Sequence, residues 1–212
     1  MKRIHNNIIN ETLRKENDDF NQDFIESMGE GLKFSEIITP DQFNLSVEKT
    51  LDSSPHMVVW LKNIDRIFSL LSKKITLKNY SFLDIGCGTG IASIYIANKY
   101  IFKSFSGFDF EPTLVKKAKE NRKIAIVEKL PRIDFFVQDS REIVLIKQPT
   151  FLFMFNPFGK ETMNEFLQNN LDTISETKSI ICYINDIHIE IFDQLDCTIV
   201  RDDYFNLSLI YF

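Results

Sequence analysis

The chain has 212 residues, 44% of them hydrophobic and 26% charged, with a formal net charge of −5. That length and apolar share support a sizeable core without disulfides. Cys87, Cys182 and Cys197 stand at no paired or metal-ligand spacing, so a disulfide scaffold is excluded and no metal site is indicated. The acidic balance disfavours an extended nucleic-acid-binding face. No apolar run reaches the length of a signal-peptide core or a membrane span, which makes the cytoplasm the expected setting.

Residues 1–54 are polar and rich in Asn, Asp and Glu, with apolar patches at Phe20, Phe24, Ile25 and Met28. They read as a helical N-terminal extension or cap, ahead of a main domain over residues 55–212. Residues 55–74 keep apolar side chains at Met57, Trp60, Leu61, Ile64, Ile67, Phe68 and Leu71, a helical spacing that buries one stripe. Strands are expected near residues 80–85, 104–109, 133–138, 150–155 and 179–185. Helices are expected between them at 91–101, 112–130 and 160–174. Alternation of this kind implies an α/β fold with parallel crossovers. After a short helix to about Leu195, residues 197–203 and 204–212 form two strands too close for a helical crossover, hence a hairpin. The twenty phenylalanines fall mostly in strands and on helix faces and read as core. Lys116, Lys117, Lys119, Arg122 and Lys123 read as a solvated helix face.

The chemistry concentrates at residues 82–90, FLDIGCGTG, and 107–112, GFDFEP. Both place a strand end beside a turn, where open α/β sheets bind ligands. Gly86, Gly88 and Gly90 let a backbone approach closely, and Cys87 lies between them. The spacing G-x-G-x-G differs from the G-x-G-x-x-G of dinucleotide sites. Asp84, two residues ahead, repels a pyrophosphate and attracts a cation, which favours a sulfonium ligand over NAD. Asp109 ends the second strand, and its carboxylate suits a vicinal diol. The alternative for Asp109 is a helix cap, and Glu111 is the fallback for the ligand role. Asp139 ends the third strand beside Ser140, where a carboxylate suits an exocyclic amine. The fourth strand is a buried run from Phe151 to Phe155 that stops at Asn156, Pro157 and Phe158. Two readings stand level there: Asn156 orients a substrate, or Asn156 caps the next helix with Pro157 in its first turn.

These motifs resemble the class I S-adenosylmethionine-dependent methyltransferases, over roughly residues 55–212. The resemblance implies a Rossmann-like, seven-stranded, mostly parallel sheet of order 3-2-1-4-5-7-6, the last strand antiparallel, with helices on both faces. It also implies S-adenosyl-L-methionine as cofactor. Asp84, Gly86, Cys87, Gly88 and Gly90 would then wrap its amino-acid end, Asp109 or Glu111 its ribose, and Asp139 with Ser140 its adenine. Asn156, Pro157 and Phe158 would face the methyl group, where amino-methylases often carry N-P-P-F or N-P-P-Y; this chain has one proline fewer. The FNPF segment is similar to that of small bacterial methyltransferases of unsettled substrate.

The expected function is methyl transfer to a protein side chain or small molecule. Two alternatives stay open. One is a nucleic-acid amino-methyltransferase, with Phe158 stacked on an extruded base. The other is a non-catalytic module that binds cofactor or a partner. A nitrogen acceptor needs only the Asn156 carbonyl to orient it, whereas an oxygen acceptor wants a base, and among the histidines His56 borders the cleft.

Overall fold

The computed structural model describes residues 11–34, 37–43, 45–46, 50–125 and 130–212. Seven strands lie in one sheet of order β3-β2-β1-β4-β5-β7-β6. They are β1 (Ser81–Ile85), β2 (Ser104–Asp109), β3 (Ile133–Val137), β4 (Thr150–Phe155), β5 (Ile180–Ile184), β6 (Thr198–Asp202) and β7 (Leu207–Tyr211). β1 pairs in parallel with β2 and β4, and β7 runs antiparallel to β5 and β6. The expected strands, their order and the antiparallel ending are all present. The direction of growth reverses between β1 and β4, which is where an open α/β sheet forms a ligand crevice.

The helices among the described residues are α1 (Glu11–Met28), α2 (Leu61–Ser69), α3 (Ile91–Lys99), α4 (Pro112–Ile124) and α5 (Lys160–Glu176). Alternation along each strand divides the core in two. Phe82, Phe105, Phe151 and Phe153 join the cluster that holds the buried residues of α2 and α3 together with Val115 and Ala118 of α4. Ile85, Phe108, Leu152 and Met154 join the opposite cluster with Met163 and Phe166 of α5. The phenylalanines interlock at ring separations such as 5.3 Å for Phe82 and Phe102, a range in which aromatic pairs attract beyond their buried area.

The structure departs from the expected elements in a few places. The stripe over residues 55–74 is helical only from Leu61 to Ser69, because Trp60 is already extended and His56 bridges Ile38 in an antiparallel pair. The segment after β5 is a 3-10 turn, Ile189–Gln194. The expected helix over 112–130 ends at Ile124, and residues 126–129 lie outside the described set. The expected N-terminal helix is α1, but it is not set apart from the main domain. Met28 and Phe34 are buried in the cluster that packs α2 and α3, and Asn21 accepts from Leu61 N while donating to the Val59 carbonyl. No helix of the described residues is long and apolar enough to cross a membrane.

Candidate functional site

A cavity opens at the carboxyl ends of β1 to β4. Gly86, Asp109, Ser140 and Asn156 line it together with residues 51–57. β1 runs directly into the glycine turn, held by Gly86 N and Cys87 N, which both donate to the Phe108 carbonyl of β2 (2.9 and 2.8 Å). Gly86 and Gly88 both have left-handed backbone, φ +73° and +52°, which a branched residue resists. Each also meets a neighbour at close range. A Cβ on Gly86 would lie 2.4 Å from Pro157 Cβ, and one on Gly88 would lie 2.4 Å from His56 Cε1. The missing side chain of Gly88 therefore makes room for His56. Gly90 begins α3 and packs toward Phe135 and Ala118, so its smallness serves contact between secondary-structure elements. Cys87 is buried, and burial holds its thiol well above the ordinary range.

Two aspartates at neighbouring strand ends have different surroundings. Asp109 lines the cavity, accepting from Gly88 N (2.9 Å) through Oδ2 and from Glu111 N (3.0 Å) through Oδ1. Burial raises its pKa to about 6, opposed by those backbone donors. The Phe110 backbone also acts on it, and a carboxylate with about four lone-pair sites keeps acceptor capacity beyond these donors. Asp84 does not line the cavity. It shares the face of β1 with Phe82, toward α3, where its Oδ2 accepts from Ser93 Oγ (2.6 Å). Burial raises it to about 7. Its carboxyl is enclosed between strand and helix, where it ties β1 to the first turn of α3 and lies close enough to act on Cys87 and Asp109.

Glu111 is the N-cap of α4, its Oε1 accepting from Thr113 N (3.0 Å) and Thr113 Oγ1 (2.7 Å), with Pro112 in the first turn. The cap position expected for Asp109 thus belongs to Glu111. Asp139 caps the short turn Ser140–Glu142 and holds Arg141 through two contacts, 3.0 and 2.7 Å. Asp139, buried Ser140 and Arg141 all line the cavity.

Across the cleft, Asn156 follows β4 with left-handed backbone, φ +38°. Helix α5 starts only at Lys160, with Gly159 as its N-cap, so neither the expected cap at Asn156 nor the first-turn place of Pro157 is realised. Tyr183, buried in β5, donates to Asn156 Oδ1 at 3.4 Å. Phe158 lines the cavity and packs, at 6% exposure, in the cluster with Phe108, Met163 and Phe166.

The part that sequence reasoning missed is the strap over this wall. Gly159 N donates to the Asp52 carbonyl (2.7 Å), Thr162 N donates to Asp52 Oδ2 (2.7 Å), and Ser53 bridges Phe158. Asp52 thereby supplies the side-chain cap that α5 lacks within its own sequence. A Cβ on Gly159 would fall 1.9 Å from Asp52 Oδ1. The fourth residue of the Asn-Pro segment is glycine because a carboxylate fills the space of its side chain. A glycine preceding a helix was the signal available, but its partner is more than a hundred positions away.

The chemistry of this set fits a nucleoside-containing cation such as S-adenosylmethionine. Asp109 offers acceptor capacity, Ser140 and Gln138 offer polar atoms, and Phe110 and Leu114 offer apolar contact around a cavity that Gly86 leaves accessible. Among the described residues no group of His, Cys, Asp and Glu could hold a metal ion.

Comparison with known proteins agrees on the central segment. Residues 82–176 match a family model described as a methyltransferase domain. Over 84 residues the chain is 42% identical to a protein of Methanocaldococcus jannaschii named provisionally as a protein N5-glutamine methyltransferase. That match covers 40% of this chain and 40% of the relative, so the chain spans about two fifths of the length of the curated relative. Among solved structures, magnesium protoporphyrin IX methyltransferase of Synechocystis, with bound S-adenosylmethionine, aligns at TM-score 0.48 and 15% identity, covering 93% of this chain and 94% of that one. A Pyrococcus abyssi tRNA (uracil-54, C5)-methyltransferase aligns at TM-score 0.46 and 15% identity, covering 71% and 37%.

Proposed function

We propose, from the premise that this chain belongs to the class I S-adenosylmethionine-dependent methyltransferase superfamily, that it transfers a methyl group to a protein side chain or small molecule. The observation that carries the reading is Asp109 at the end of β2, buried, fixed by backbone donors that include Gly88 and Glu111, and lining the cavity with Gly86. S-adenosylmethionine, when bound, supplies an activated methyl group on a sulfonium. The residues here bind, orient and exclude water. Asp109 accepts from the ribose, and Asp139 with Ser140 forms the adenine end. Asn156, its carbonyl oriented by Tyr183, uses its second lone pair to hold the acceptor nitrogen.

Two features favour a nitrogen on a protein side chain or small molecule over a nucleic acid: the named relative and the acidic net charge. Calorimetric titration with S-adenosylmethionine, S-adenosylhomocysteine and NAD tests the cofactor. Binding of the first two without NAD is expected. Binding of NAD alone, or of none, contradicts it.

A further inference from the structure

A second cavity lies on the α1 side of the sheet, bounded by α1, the extended residues 57–60, the ends of β4 and β5, and the turn between β6 and β7. Its volume is about 880 Å³, within the range of small-molecule sites. It shares Met57 and Phe155 with the cavity at the glycine turn. Phe155 immediately precedes Asn156. The two cavities therefore adjoin at the end of β4, one residue from Asn156.

The walls are chemically one-sided. Met57, Ile37 and Tyr204 are 43%, 66% and 67% exposed, and all three line this cavity, with Trp60 and Phe205 beside them. Exposed apolar side chains gathered in one concavity mark a binding surface. Charged lining is Glu11, Asp18 and Asp203 against Arg14, with Arg14 3.7 Å from Asp18 and Arg201 paired with Asp203 from beside the cavity. Glu16 and Asp202 add to the field, since both act on the neighbouring Arg66. One aromatic wall already carries a cation, with the Arg66 guanidinium 4.0 Å from the ring centre of Phe205. Aromatic faces with surrounding carboxylates attract positive charge on an apolar body.

Resting on the methyltransferase reading, we propose that this cavity is the acceptor site and that the acceptor is an amine with an apolar or aromatic body, which docks as its ammonium and, once its proton has passed to solvent, attacks the methyl carbon with the freed lone pair as the carbon–sulfur bond breaks and S-adenosylhomocysteine leaves. Such an amine comes from a small molecule or from a basic peptide side chain, and both offer the same chemistry to the walls.

Trp60 is the sole tryptophan of the chain and lines the cavity, so its fluorescence reports occupancy directly. The probes are phenethylamine, the peptide acetyl-Phe-Lys-amide, and phenylacetate as the anion of similar size. The amine and the peptide are expected to change the emission saturably, the tighter of the two identifying the source, with phenylacetate at least about tenfold weaker. The double variant Glu11→Gln/Asp203→Asn, both exposed positions, should weaken amine binding roughly fivefold while leaving phenylacetate unchanged. Tyr204→Ala should weaken it by a similar factor. Equal binding of amine and anion, or no saturable change from either amine, overturns the inference. S-adenosylhomocysteine titrated into the same preparations separates the two levels. If it binds while the amines do not, the acceptor assignment fails alone; if it too fails to bind, the methyltransferase reading fails first.

Discussion

The two walls of the cleft are built by different means. The wall of β1 and β2 comes from a contiguous stretch of chain: strand, glycine turn, helix and strand within residues 81–109, clipped together by backbone bonds from Gly86 and Cys87 to Phe108. The wall at the end of β4 is completed from outside by residues 52–56, with Asp52 capping α5 and His56 resting on the glycine turn. The first wall follows from local sequence, and the second exists only after the chain has folded back on itself. The strap joins them, since His56 meets Gly88 on one side and Ser53 meets Phe158 on the other.

Changes along this divide should differ in size. Gly88→Val should have the largest effect, because the branched side chain meets both a left-handed φ and the His56 ring. We expect a loss of about 3 kcal/mol in denaturant unfolding and no measurable cofactor binding.

The paired aspartates come next. Burial raises Asp84 from 3.8 to about 7, so the folded state holds a proton that the unfolded chain gives up. With more protons bound in the folded state, stability falls as pH rises through that window, by roughly 1.4 kcal/mol per pH unit at most. Asp109 adds a narrower loss, between 3.8 and about 6. Asp84→Asn should flatten the profile measured by denaturant midpoints at pH 5 and pH 8. It should leave S-adenosylhomocysteine binding within about twofold, because Asp84 does not line the cavity.

Asp109→Ala sharpens the contrast. It strands the Gly88 and Glu111 amides, so stability should fall by about 1–3 kcal/mol. Binding by calorimetry should weaken far more than that twofold. An affinity unchanged in Asp109→Ala would remove the carboxylate from the ligand site. Asp52→Ala should have the smallest effect, losing one helix cap, about 1 kcal/mol, or roughly 2–4 °C in Tm. A larger loss would mean that the strap bears on the whole cleft.

The same divide explains what could be read from the chain. The strands, their order and the position of Asp109 follow from apolar runs, turn residues and resemblance, all local signals. The face chosen by Asp84 was hidden because alternation pairs it with Phe82 without saying which face carries the ligand. The stripe that includes Met57 and Trp60 imitates a helix, yet the bridge between Ile38 and His56 holds that stretch extended. Asn156 has the composition of a cap, but Asp52 takes that task, and such a pairing leaves no periodicity. Tyr183 looked like any buried strand residue, and only the fold sets its hydroxyl beside Asn156.

The most direct test of the central claim is amide hydrogen exchange with and without S-adenosylhomocysteine. A cofactor seated at the carboxyl ends of β1 and β2 should slow exchange at residues 86–90, 108–111 and 138–141 together. Binding that leaves these segments unchanged, or protects only segments away from the glycine turn, would contradict the placement.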